Sequence, residues 1–140
     1  MSKTREMKET ITAIEEVFNI AVTKSTRGEG FSITTTKQKI TLLISNEQAC
    51  CEKWGYISSE DDYSDFIGAE LLSIATVDED FNPKILDRLE KEYVHTNSCL
   101  FINIETSKGT LQFVLYNEHN GYYGHDVYVI SNQLTTYEEL

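Results

Sequence analysis

The sequence predicts an α+β fold: a mainly antiparallel β-sheet with an N-terminal helix and a second helix near residues 82–93. Three observations predict it. Short β-branched runs outnumber helical stretches, tight-turn residues join several of those runs, and two segments carry apolar residues at helical spacing instead. The chain has 140 residues, room for one core. It reads as a single domain over 1–134 with a loose polar tail over 135–140.

The elements follow in order. Met7, Ile11, Ile14, Val17 and Phe18 recur every three or four positions, with Ala21 one turn on and the glutamates mostly elsewhere, so an amphipathic helix is expected over 4–18. Arg27-Gly28-Glu29-Gly30 reads as a turn. Phe31–Thr36 and Lys39–Ile44 are β-branched strands joined at Lys37-Gln38. Asp62–Phe66 reads as one helical turn closed by Gly68, and Leu71–Val77 as a strand. Asn82-Pro83 is a helix start, Asn supplying the cap and Pro the first helical position, and the helix runs to about Tyr93 with Ile85, Leu86 and Leu89 on one side. Cys99–Thr106 and Thr110–Tyr116 form a hairpin about Ser107-Lys108-Gly109, and Val127–Ile130 is the last expected strand.

Charge bounds the function. Twelve bases against 23 acids give a net charge of −11 and a pI near 4.6. Binding to a nucleic-acid backbone needs clustered Lys and Arg, so direct nucleic-acid partners are disfavoured. Residues 52–80 hold nine acids and one base, whereas residues 1–51 are nearly neutral. Within that stretch Glu60, Asp61, Asp62 and Asp65 form the densest acidic cluster, a surface suited to a basic partner. No apolar run approaches the roughly 18 residues of a membrane span, and the opening Met1–Glu6 leads into a polar segment, so a cytoplasmic protein is expected.

The motifs exclude more chemistry than they assign. Three cysteines make no disulfide framework, and the adjacent Cys50-Cys51 lacks the spacing of a zinc site. Asp78-Glu79-Asp80-Phe81-Asn82 opens like a calcium loop, but Pro83 stands where the loop needs Gly and Leu89 where it needs Glu. Gly121 and Gly124 do not form a phosphate loop. No metal and no cofactor is expected. The segment Asn117–Asp126 is the richest: Asn120-Gly121 favours a tight turn, and Tyr122, Tyr123 and His125 crowd onto it with aromatic area suited to a contact surface.

Cys50-Cys51-Glu52, Asp65-Phe66-Ile67-Gly68, Thr106-Ser107-Lys108-Gly109 and Asn120-Gly121-Tyr122-Tyr123 occur in an order that resembles a family of small uncharacterised proteins common in Firmicutes and their phages. The resemblance covers about Cys50 to Val127. His119 and Gly124 stand where that family carries serines beside N-G-Y-Y, and Val114 where it often carries Arg, a departure that bears against an inherited anion-binding role. The resemblance implies an α+β fold and a phage context, with no known activity.

Together these features lead to a non-enzymatic acidic protein, an inhibitor encoded by a phage or mobile element. Its partner would be a basic host defence protein, for example a nucleic-acid-binding effector whose ligand it imitates, as small anti-CRISPR proteins do. The expected contact residues are Glu60, Asp61, Asp62, Asp65, Asn120, Tyr122, Tyr123 and His125. Two alternatives belong to other classes. One is a small-ligand module that sequesters a nucleotide signal on Tyr122 and Tyr123; the other is an enzyme using Cys51 and a histidine.

Overall fold

Two antiparallel sheets pack face to face, and an α-helix covers the outer face of one of them. The computed structural model describes residues 8–46, 53–79, 81–118, 124–132 and 134–140. Sheet one has five strands in the order β1-β2-β3-β8-β9, where β1 is Ile11–Ala21, β2 Arg27–Thr35, β3 Lys39–Ser45, β8 Asp126–Ile130 and β9 Thr135–Glu139. Sheet two has the order β4-β7-β6-β5, with β4 Lys53–Ser58, β5 Leu71–Val77, β6 Cys99–Thr106 and β7 Gly109–Glu118. All strand pairs within the sheets are antiparallel.

The expected N-terminal helix is not there, and with it falls the α+β assignment. From Ile11 the segment is β1, and the fold is mostly antiparallel sheet, with one α-helix among the described residues. The physical reason lies in the register of β1 against β2. Ile11 faces Thr35 but Ala13 faces Thr34, so β1 carries one extra residue there. A bulge of this kind resets the alternation of side chains. Ile11 and Ile14, three apart, therefore both reach the core between the sheets. A second extra residue falls between Val17 and Ile20, where Asn19 adopts a left-handed φ of 52°. Bulged strand and helix thus share an apolar spacing of three, and the β-branched residues of this segment favour the strand.

Arg27–Gly30, expected as a turn, belongs to β2. Gly30 is there because β3 comes close: a Cβ at this position would lie 2.1 Å from the Leu42 carbonyl oxygen. Residues 135–139, expected to be loose, form β9, paired with β8 from Ile130↔Thr135 to Asp126↔Glu139. Thr135, Thr136 and Tyr137 are strong strand formers, and Leu140 is tied in by exchanging both backbone hydrogen bonds with His125 at 2.8 Å.

The core alternates as strands require. Ile33, Leu42 and Val129 of sheet one meet Ile102, Ile104, Leu111 and Phe113 of sheet two, all buried. On the opposite face of sheet two, Phe101, Val114 and Tyr116 receive the helix α1, Pro83–Lys91. The helix starts where expected, the Asn82 side chain accepting from Lys84 N at 2.9 Å. It buries Ile85 and Leu89 completely or nearly so, each contributing about 1.5–3 kcal/mol. Phe81 stacks on Phe101 with ring centroids 4.0 Å apart, closing the layer at the start of the helix.

Candidate functional site

The free edge of β4, the loop that follows it and the flank of α1 enclose an open cleft of about 540 Å³. Its aromatic residues come from four parts of the chain: Phe31 on β2, Tyr56 on β4, Tyr63 in the following loop and Tyr116 on β7. Phe31 and Tyr56 meet edge to face, centroids 5.3 Å apart at 86°. The Tyr56 hydroxyl donates to Glu29 Oε2 at 2.9 Å, and the Tyr63 hydroxyl donates to Ser58 Oγ at 2.8 Å. Burial, aided at Tyr56 by the Glu29 carboxylate, pushes the phenols of Tyr56 and Tyr63 up, and burial does the same at Tyr116. The rings are therefore neutral across the physiological range. Gly55 makes room for Tyr116: a Cβ there would fall 2.7 Å from the tyrosine hydroxyl.

Charged groups line the same cleft. Glu16, Glu60, Asp61 and Glu92 are acidic; Arg88 and Lys91 are basic. Both bases are already engaged. Arg88 forms an ion pair with Asp61 and donates from Nη1 to the Ser58 carbonyl at 3.0 Å, and Lys91 pairs with Asp87 one turn back at 3.0 Å. Lys84 reaches Glu60 at 3.1 Å, and Lys53 pairs with Glu92 at 3.0 Å. The loop is held in shape by Ser59, whose backbone N–H donates to the Gln112 carbonyl at 2.8 Å and whose hydroxyl accepts from Gln112 N at 3.1 Å, continuing the β4–β7 ladder.

The residues expected to make contacts divide into four groups. Glu60 and Asp61 line the cleft, strapped to α1 by Lys84 and Arg88. Asp62 and Asp65 are exposed on the adjoining turn. Asp62 accepts from Ser64 N at 2.9 Å, and that backbone hydrogen bond holds its carboxyl below the ordinary range. Asn120, Tyr122 and Tyr123 lie outside the described residues, as do Cys50, Cys51 and His119. His125 does not offer a contact surface: it is 2% exposed, stacked on Trp54 at 5.1 Å, with Nδ1 2.7 Å from the Ser45 carbonyl. It helps to hold β3, β4 and the end of β9 together.

The sequence reading missed Tyr56, Tyr63, Tyr116 and Arg88. The alternating run Trp54-Gly55-Tyr56-Ile57 was the available signal for β4, and the half-buried Tyr56 follows from it. Cys99 is half-buried and its thiol is pushed up to about 12 by burial, with Glu118 nearby adding to the effect, so it is inert as a nucleophile. Among the described residues no three His, Cys, Asp or Glu side chains gather to hold a metal ion.

The class these features define is an antiparallel β-sandwich with one outer helix and an acid-lined tyrosine cleft beside it. Residues 6–129 match a domain of unknown function, DUF7448, and the chain belongs to that family. No curated protein and no solved structure matches it. Among the described residues no helix is long and apolar enough to cross a membrane.

Proposed function

We propose that the protein is a non-enzymatic binding protein whose acidic cleft takes Arg or Lys side chains of a basic partner. The observation that carries this reading is Glu16, which lines the cleft with its tyrosines; of the other three carboxylates Glu60 pairs with Lys84, Asp61 with Arg88 and Glu92 with Lys53, and the two bases of the cleft are committed within the chain as well. Neutral tyrosine rings beside carboxylates suit a guanidinium or ammonium group, through cation–π attraction and ion pairing together. The net charge of −11 supports the same reading by steering a basic protein toward the surface. The finer identity we propose is an inhibitor of a basic host defence protein, encoded by a phage or mobile element and acting in the host cytoplasm. It rests on the motif resemblance and on the acidity of the chain.

A nucleotide-binding reading has one observation in its favour, the presence of Arg88 and Lys91 beside tyrosines. It is the weaker reading, because a phosphate would have to displace Asp61 from Arg88 among surrounding carboxylates.

Titration calorimetry with an arginine-rich peptide and, separately, with ADP distinguishes the two. The peptide is expected to bind, and Glu16→Gln combined with Asp61→Asn to weaken it about tenfold, or ~1.4 kcal/mol. The control Glu138→Gln with Glu139→Gln removes equal charge from β9 and is expected to have little effect. Equal weakening by both pairs would mean that only net charge is sensed; ADP binding without peptide binding would overturn the proposal.

A further inference from the structure

β4 is an edge strand of sheet two, paired with β7 alone among the described residues. In an antiparallel ladder every second residue of a strand turns both its N–H and its C=O to the same neighbour. Ser59 fixes which residues of β4 face β7: its N–H donates to the Gln112 carbonyl, one step beyond the pair Ser58↔Phe113. Ile57 and Gly55 therefore face β7 as well, and Trp54, Tyr56 and Ser58 turn their backbone groups outward. The Ser58 carbonyl agrees with this phase, since Arg88 Nη1 reaches it from outside the sheet at 3.0 Å. The outward N–H and C=O groups of Trp54 and Tyr56 have no hydrogen-bond partner among the described residues.

The cleft opens on both faces of this edge. On the inner face Tyr56 and Tyr63 stand with the exposed Glu16; on the outer face stand Ile57, Tyr116 and the flank of α1. An unpaired edge is a template for a further strand. We infer that a short extended segment of the basic partner adds to β4 as a fifth, antiparallel strand of sheet two, pairing with Trp54 and Tyr56 and directing an arginine at Glu16. The inference rests on the reading of the cleft as a site for cationic side chains, and it names how they are delivered. Main-chain hydrogen bonds supply the affinity of such an addition, and alternate side chains its specificity. Residues directly opposite in an antiparallel pair share a face, so the partner residue paired with Tyr56 carries its side chain to the inner face, toward Glu16. Arg88 on the Ser58 carbonyl marks where the added strand ends. Charge selects a basic segment over a second copy, because two copies edge to edge would set one net charge of −11 against another.

The test is an N-methyl scan of a short peptide alternating arginine and threonine, read by titration calorimetry on the full chain. Strand addition needs the peptide N–H at every second residue, and N-methylation removes it without changing a side chain or its charge. Methylating the arginines, which lie opposite Tyr56, is expected to weaken binding at least about tenfold. Methylating the threonines, whose N–H groups face solvent, is expected to weaken it about twofold or less. Equal losses in the two sets, or none in either, would overturn strand addition while leaving the cleft as an arginine site. A loss confined to the threonine set would overturn the antiparallel arrangement. If neither the unmethylated peptide nor the arginine-rich one binds, the reading of the cleft fails and this inference with it. Sedimentation of the wild type as a dimer that the peptide dissociates would also overturn the inference, since a second copy of the chain would then hold the edge.

Discussion

The two flanks of α1 differ in how they are finished. Toward β4, Lys84 and Arg88 reach across to Glu60 and Asp61 and close the helix against its neighbouring loop. On the other side Leu86 and Tyr93 stand in solvent next to a groove. Neither flank supplies the main anchorage. That comes from Ile85 and Leu89 beneath the helix, buried on Phe101, Val114 and Tyr116. Surface ion pairs contribute roughly 0–1 kcal/mol each, and exposed apolar groups contribute less. The comparison teaches that a short helix fixed from below leaves its two flanks free to differ, one polar and one apolar.

The largest expected effect removes the shared anchor. Leu89→Ala should lower unfolding free energy by about 2–5 kcal/mol, because a side chain 1% exposed leaves a cavity when truncated. Urea denaturation measures it. A loss below about 1 kcal/mol would mean that the ion-paired flank, not the buried face, holds the helix.

Next in size is a rate. Cys99 lies in the layer under the helix, and burial pushes its thiol up to about 12. Alkylation of the folded protein at pH 8, followed residue by residue by mass spectrometry, should modify Cys99 at least ~100-fold more slowly than a free cysteine. Rapid modification would show that this layer opens readily.

Breaking the polar flank alone should cost less than removing the anchor. Arg88→Met takes away the donor to the Ser58 carbonyl and the partner of Asp61, an expected loss of about 1–2 kcal/mol. Asp61→Asn, at a side chain 85% exposed, should cost roughly 0.5 kcal/mol or less. If the two substitutions prove equal, the Ser58 hydrogen bond contributes nothing.

The smallest effect is a pH dependence at the edge of the apolar flank. Burial raises the carboxyl of Glu118, but hydrogen bonds from Ser98 and from the His95 backbone and ring outweigh it and hold it below its ordinary value of 4.5. A lowered carboxyl stabilises the fold above the unfolded value, and that contribution disappears as pH falls through the folded one. Glu118→Gln should therefore narrow the stability difference between pH 6 and pH 3, by about 0.5 kcal/mol or less given solvent screening. An unchanged difference would remove Glu118 from the account.

The legible parts of this fold were those with local signals. Asn82-Pro83 marked α1, and Leu71–Val77 and Cys99–Thr106 read as strands with the bounds the structure gives them. β1 was not legible because its bulges place Ile11 and Ile14 on one face at a helix-like spacing. β9 was missed because its pairing with β8 supplies order that a polar terminal segment does not advertise. In the cleft, Glu60 and Asp61 were visible as acids, but their partners Lys84 and Arg88 lie 24 and 27 residues on. The tyrosines were invisible as a group, since Tyr56, Tyr63 and Tyr116 meet only when β4, its loop and β7 fold together.

The central claim, that the acidic cleft receives cationic side chains, is tested most directly by amide NMR spectra during titration with the arginine-rich peptide. The account predicts shifts concentrated at Glu16, at Tyr56 through Asp61 and at Arg88 through Glu92. Tyr128 and Tyr137, on the far outer face of sheet one, should stay in place. Shifts spread evenly over the acidic surface, or concentrated on that outer face, would contradict it.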